Sequence, residues 1–134
     1  MIVGIGADLL DVERMARELA REGGGFRDDV FTPSEVGYCA AMAFPERHFA
    51  ARFAAKEAFW KAVGCGPEPV SLRDVEVDRS ASGAPRIVLH GGAEAAAARL
   101  GVISVYVSMT HTATLASASV VLEGEGAEEG RKDE

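Results

Sequence analysis

Two carboxylates stand where the surrounding residues make a charge costly. Asp8 lies in the apolar, β-branched opening MIVGIGADLL, and Glu57 lies in the alanine-rich stretch from about Glu46 to Val63, flanked by Lys56 and Lys61. An ionised carboxylate in apolar surroundings needs a cation or hydrogen-bond donors to offset its lost hydration. For Asp8 two readings stand level: a cap for the helix that follows, or a metal ligand. For Glu57 the plain reading is an i,i+4 pair with Lys61, worth about 0.3–0.5 kcal/mol if exposed. So small a gain does not account for three charges on a helix whose faces are otherwise apolar. If the two acids converge, two hard oxygen ligands plus phosphate oxygens suit magnesium, which keeps several waters and is rarely caged by protein alone. Lys56 and Lys61 would then neutralise phosphate charge that the metal does not reach.

Other constellations are weaker. The GIGAD run lacks the third glycine of a dinucleotide fingerprint, because Leu9 stands in its place. Cys39, Cys65, His48, His90 and His111 show no paired spacing of the zinc-site kind, and two cysteines without an export signal read as reduced thiols. Ser108 and His111 are three apart, a spacing that points to opposite faces of a strand, so they could meet only if the chain turned sharply, and no third orienting carboxylate is indicated, which argues against a serine hydrolase. His111 reads either as a turn histidine or as a ligand contact. Arg14, Arg17 and Arg21, at i, i+3 and i+7, share one face of the first helix, with Glu13, Glu18 and Glu22 close by.

The elements that must position these groups follow from the pattern. The opening run predicts a buried strand ending near Asp8, and Asp11 can cap a helix over VERMARELARE that breaks at Gly23–Gly25. Thr32, Pro33 and Glu35 form a capping box with proline at the first helical position, starting a helix to about Met42. The long helix places Phe49, Phe53, Lys56, Trp60 and Val63 on one stripe and Ala50, Ala54, Ala55, Ala58 and Ala62 opposite, so it is expected to be central and stopped by Gly64. A hairpin is predicted from Asp74–Val77 and Pro85–His90, then a short helix over AEAAAARL, then strands near Ser104–Met109 and Leu115–Leu122. The sum is an α+β fold, with a mainly antiparallel sheet packed on a long central helix.

The chain has 134 residues, 48% of them apolar and 26% charged, which fits one domain, expected over residues 1–122. No apolar stretch approaches the ~20 residues of a membrane span, and the start is not a basic region leading into an apolar core, so a cytoplasmic home with no membrane partner is expected. A net charge of −7 argues against nucleic-acid binding. Six acids against two bases fall between Glu123 and Glu134, a stretch expected to be a solvated, disordered tail.

Four segments in order, GIGADLLDVERM, FTPSE, RFAAKEAFWKAVGCG and VSMTHTATLASASVVLE, make the chain resemble the holo-[acyl-carrier-protein] synthases, the small type of 4′-phosphopantetheinyl transferase. The resemblance implies Mg2+-dependent transfer of the phosphopantetheine arm of coenzyme A to a serine of apo acyl carrier protein, releasing adenosine 3′,5′-bisphosphate. It puts metal ligation and catalysis on Asp8 and Glu57, a phosphate contact on Lys61, and coenzyme contacts on Arg52, Lys56, Gly64, Gly66 and His111. The serine proton would go to Glu57 or to a metal-bound water. Because carrier proteins are acidic, the face of Arg14, Arg17 and Arg21 is the expected docking patch. A homotrimer with sites at subunit interfaces is also implied. Cys65, Trp60 and the charged tail depart from the family pattern. The competing readings are a coenzyme A pyrophosphatase, with water in place of the serine, and a non-catalytic carrier-binding oligomer.

Overall fold

The computed structural model describes residues 1–125. Its elements are β1 (Ile2–Asp11), α1 (Val12–Ala20), α2 (Phe26–Val30), α3 (Pro33–Ala40), α4 (Pro45–Val63), a 3-10 turn (Leu72–Asp74), β2 (Val75–Arg79), β3 (Pro85–Leu89), α5 (Gly91–Arg99), β4 (Val102–His111) and β5 (Leu115–Gly124). The strands form two antiparallel sheets, β1-β5-β4 and β2-β3. The fold is therefore α+β with antiparallel pairing, as the pattern implied, but the hairpin forms a sheet of its own.

Helix α4 lies across the three-stranded sheet, touching β1, β5 and β4. Its closeness to β1 is set by two glycines. A Cβ on Gly4 or Gly6 would overlap the carbonyl oxygens of Ala62 and Ala58, so only glycine lets strand and helix backbones meet there. The buried alanines Ala50, Ala54, Ala55, Ala58 and Ala62 give α4 a thin, smooth surface against the sheet. Phe49 and Val63 are buried on the predicted stripe, whereas Trp60 is half exposed and Lys56 wholly enclosed. The apolar stripe thus turns out of the core at Trp60.

Asp11 accepts from the amide of Glu13 and caps α1, and Thr32 with Glu35 forms the reciprocal capping box of α3. The capping reading of Asp8 fails, because β1 continues three residues past it and Asp11 takes that task. Helix α1 stops at Ala20, and the five-residue α2 was not anticipated. Strand β5 carries Glu123 and Gly124, where Glu123 accepts from the Tyr106 hydroxyl at 2.8 Å, so the domain extends beyond 122. The rest of the expected tail, from 126 on, lies outside the described residues.

Candidate active site

Asp8 sits mid-strand on the helix-facing side of β1, directly across from Ala118 on β5. Glu57 projects from α4 into the same cavity of about 460 Å³, whose walls include Leu10, Arg14, Met15 and Phe53. Lys61, one turn beyond Glu57, donates to Asp8 Oδ1 at 3.1 Å and to the Ala7 carbonyl at 3.2 Å. Glu57 makes no ion pair among the described residues, and burial, then the charge of Asp8, holds its carboxyl above the ordinary range against the pull of Lys61. Asp8, which Lys61 contacts, and Glu57, which it does not, are a hard oxygen donor set; Arg14 and Glu18, the latter paired with Arg21, line the same cavity.

That donor set fits magnesium only with help. Among the described residues no three His, Cys, Asp or Glu side chains cluster as a protein-only metal cage. A cation held by one or two carboxylates and completed by substrate phosphates and water is the usual magnesium arrangement.

Lys56 requires a correction. Expected at the coenzyme, its side chain is wholly enclosed, donating to Glu35 Oε1 at 2.8 Å, the Val75 carbonyl at 2.7 Å and the Leu72 carbonyl at 3.1 Å. An ammonium has three protons, and all three are spent inside the protein. No phosphate can reach it.

Arg52 and His111 belong to a second cluster. The Arg52 guanidinium, 2% exposed, stacks 4.3 Å from the Tyr38 ring centre, with Arg79 at 4.8 Å from the same ring. His48 packs between Tyr38 and His111, with its ring centre 5.1 Å from that of His111. Burial, then His111, Arg52, Arg79 and Arg47, lowers the His48 pKa, and the buried Arg52 Nε has no hydrogen-bond partner among the described residues. Stacked cations with an unsatisfied donor suit an anionic group. Sequence reasoning missed His48, Tyr38 and Arg79. The signal for His48 was its place four residues before Arg52 on one helix face.

The two clusters do not join within one chain. In register, Asp8 aligns with Ala118 and Met109, while His111 aligns with Ala116 and Leu10. Asp8 and His111 therefore lie on the two outer strands with β5 between them, about 10 Å apart across the sheet, and α4 lies over all three strands. Ser108 pairs with Ser119 on the opposite sheet face from His111, so no serine–histidine couple forms.

Gly64 ends α4 at φ +70°, which favours glycine, and the space beside it is open. A Cβ on Gly66 would run into Arg99 and Glu68, whose 2.6 Å ion pair covers that loop. Arg14, Arg17 and Arg21 border one surface depression. Arg17 pairs with Glu13 at 3.5 Å and Arg21 with Glu18 at 2.5 Å, whereas Arg14 has no ion pair among the described residues and also borders the acid cavity. Cys39 is buried, its thiol pushed up to about 11 mainly by burial, which leaves it inert.

Residues 4–117 match the model of the 4′-phosphopantetheinyl transferase superfamily. The holo-[acyl-carrier-protein] synthase of Anaeromyxobacter sp. (strain K) is 47% identical over 129 residues, covering 94% of this chain and 99% of that protein. That of Syntrophus aciditrophicus is 42% identical over 125 residues, covering 92% and 98%. Among solved structures, the Neisseria meningitidis synthase superposes with a TM-score of 0.81 at 34% identity, over 92% of this chain and 99% of that one. The Helicobacter pylori synthase in complex with coenzyme A gives 0.76 at 29% identity, over 89% and 99%. Matched by the family model over most of its length and by relatives over nearly their whole length, the chain belongs to the holo-[acyl-carrier-protein] synthase family of 4′-phosphopantetheinyl transferases.

Proposed function

We propose that this chain moves the 4′-phosphopantetheine arm of coenzyme A to a serine of apo acyl carrier protein with a magnesium ion held by Asp8 and Glu57, releasing adenosine 3′,5′-bisphosphate. The observation that carries this reading is the shared cavity of Asp8 and Glu57 with Lys61 beside them. The serine oxygen bonds to the β-phosphorus of coenzyme A, and the bridging P–O bond to the α-phosphate breaks. The electron pair of that bond leaves with adenosine 3′,5′-bisphosphate. Magnesium, when bound, supplies charge neutralisation on the diphosphate. Lys61, half exposed at the cavity edge, supports the leaving phosphate. The serine proton goes to Glu57, which lines the cavity, or to a water on the ion.

Arg52 and His111, with His48 and Arg79, are assigned to the phosphate-bearing nucleotide end of coenzyme A, and Gly64 and Gly66 to its loop contact. Since these residues lie on the far flank of α4 from the acids, a complete site needs two chains. The outer face of the three-stranded sheet supports such an assembly. Ile5, Val121 and Tyr106 form one cross-strand row there, and Leu9 lies further along the same face, with Ile5, Leu9 and Tyr106 more than half exposed. An uncovered apolar sheet face marks an interaction surface, and a homotrimer covers it by closed symmetry. Carrier docking falls to Arg14, Arg17 and Arg21. A cytoplasmic location goes with this reading; no helix among the described residues is long and apolar enough to cross a membrane.

The test is mass spectrometry of apo carrier protein incubated with the chain, coenzyme A and Mg2+. A gain of one phosphopantetheine mass, lost with Asp8→Ala or in EDTA, is the expected result. Free phosphopantetheine without protein modification would identify a pyrophosphatase and overturn the reading.

A further inference from the structure

Helix α4 has a positional difficulty. Its sheet-facing alanines present few knobs to interlock with the strands, and its bulky anchors Phe49, Phe59 and Val63 hold it by apolar packing that has no direction of its own. Yet it must deliver Glu57 and Lys61 to Asp8, and transfer chemistry is sensitive to misplacements of about 1 Å.

The one charged pair buried on both sides among the described residues sits beside Glu57. Lys56 Nζ donates to Glu35 and to the carbonyls of Leu72 and Val75, and lies 5.4 Å from the Phe31 ring centre. Glu35, 1% exposed, is equally committed: Oε1 also accepts from the Thr32 amide at 2.9 Å, and Oε2 from the Val77 amide at 2.7 Å. Thr32 Oγ1 donates onward to Glu76, which also contacts His90 Nε2. These directional bonds tie α4 to α3, to the 3-10 turn and to β2, on the residue next to the catalytic glutamate.

Stability alone is a poor reason for such a pair. A buried ion pair often contributes no more than well-packed apolar residues of the same size, because desolvating two charges offsets their attraction. Burial accordingly pulls the Lys56 pKa down despite Glu35. What the pair supplies over apolar packing is direction.

We propose that Glu35 and Lys56 are positioning residues that set the rotation and axial placement of α4, and thereby aim Glu57 and Lys61 at Asp8. This rests on the assignment of Asp8 and Glu57 as the metal-binding acids.

The experiment uses the full chain with Glu35→Gln/Lys56→Met, which removes both charges together, and Glu35→Asp, which keeps the charge but shortens the tether by one methylene. Circular dichroism and thermal melting report the fold, steady-state kinetics separate kcat from the KM for coenzyme A, and electron paramagnetic resonance measures Mn2+ binding without turnover. For both variants we expect a folded chain, KM within about twofold of the parent, kcat lower by at least about tenfold, and Mn2+ affinity weaker by at least about fivefold. Should the double variant fail to fold, Glu35→Asp carries the same readings. Parental kcat and Mn2+ affinity in a folded variant would overturn the proposal, as would a loss of kcat fully accounted for by the unfolded fraction. A parent chain that neither transfers the arm nor binds Mn2+ would instead remove the functional assignment, and the positioning role with it.

Discussion

The surroundings of Glu57 disfavour its charged form, and this has a consequence for stability as well as chemistry. Its folded-state pKa lies above the unfolded value because burial and Asp8 disfavour the anion. Between those two values the native chain holds more protons than the unfolded one, so stability falls as pH rises through that window. Stability lost across that window is regained by a neutral side chain of the same shape. Glu57→Gln should therefore abolish arm transfer yet raise the melting temperature at pH 7 in metal-free buffer. That advantage should shrink towards about pH 3, where the parent carboxyl is protonated. Calorimetry across pH checks this; a variant melting at or below the parent at pH 7 would refute the strain. Asp8 differs, since Lys61 already offsets its charge. The same residue-scale logic explains why Lys56 and Lys61, both placed at phosphate by their neighbours in sequence, part company. Five residues turn Lys61 to the cavity edge and Lys56 into the protein, where Glu35 waits 21 positions upstream.

At the scale of elements, the caps and breaks were legible because they are local. Asp11, the Thr32–Glu35 box and Gly64 each act within a few residues, and each is found at its expected helix end. The antiparallel pairing and the central helix followed from periodicity. The standing of the hairpin apart from the three-stranded sheet, the turn of Trp60 to solvent and the enclosure of Lys56 did not, because each depends on how segments far apart in sequence pack. Gly4 and Gly6 illustrate the same limit: in sequence they interrupt a strand, whereas in space they are the contact that brings α4 onto β1. Gly6→Ala would set a methyl against the Ala58 carbonyl, and neither backbone can yield cheaply. We expect a loss of about 1–3 kcal/mol by chemical denaturation and a weakened site, since the displaced helix carries Glu57. Gly37→Ala is the control. Gly37 lies within α3 with open space where the methyl would go, so this substitution should stabilise the chain by up to about 1 kcal/mol. If Gly6→Ala were as benign, close backbone approach would not be what holds strand and helix together.

The whole molecule leaves its chemistry in two halves. On one flank of α4 lie Asp8, Glu57 and Lys61; on the other lie Arg52, His48 and His111, with strand β5 separating Asp8 from His111. A ligand with a diphosphate at one end and a phosphorylated nucleotide at the other needs both halves, and in the proposed trimer the second half comes from a neighbour. This predicts complementation. Glu57→Gln lacks a working acid half but keeps its cations, and Arg52→Ala the reverse; each alone should be inactive or nearly so. In randomly mixed trimers, a junction works when an Arg52→Ala chain supplies the acids and a Glu57→Gln chain supplies the cations. A trimer holding both variants has one such junction in three, so about a third of parental activity should return once trimers of a single variant are removed. Co-expressing the two variants with different affinity tags, purifying through both, and assaying arm transfer measures the recovery. Mixing already assembled trimers should restore less, limited by subunit exchange. If doubly purified trimers stay as inactive as either parent variant, each site is built within one chain. The separation of the clusters would then have to close by a movement of α4 against the sheet.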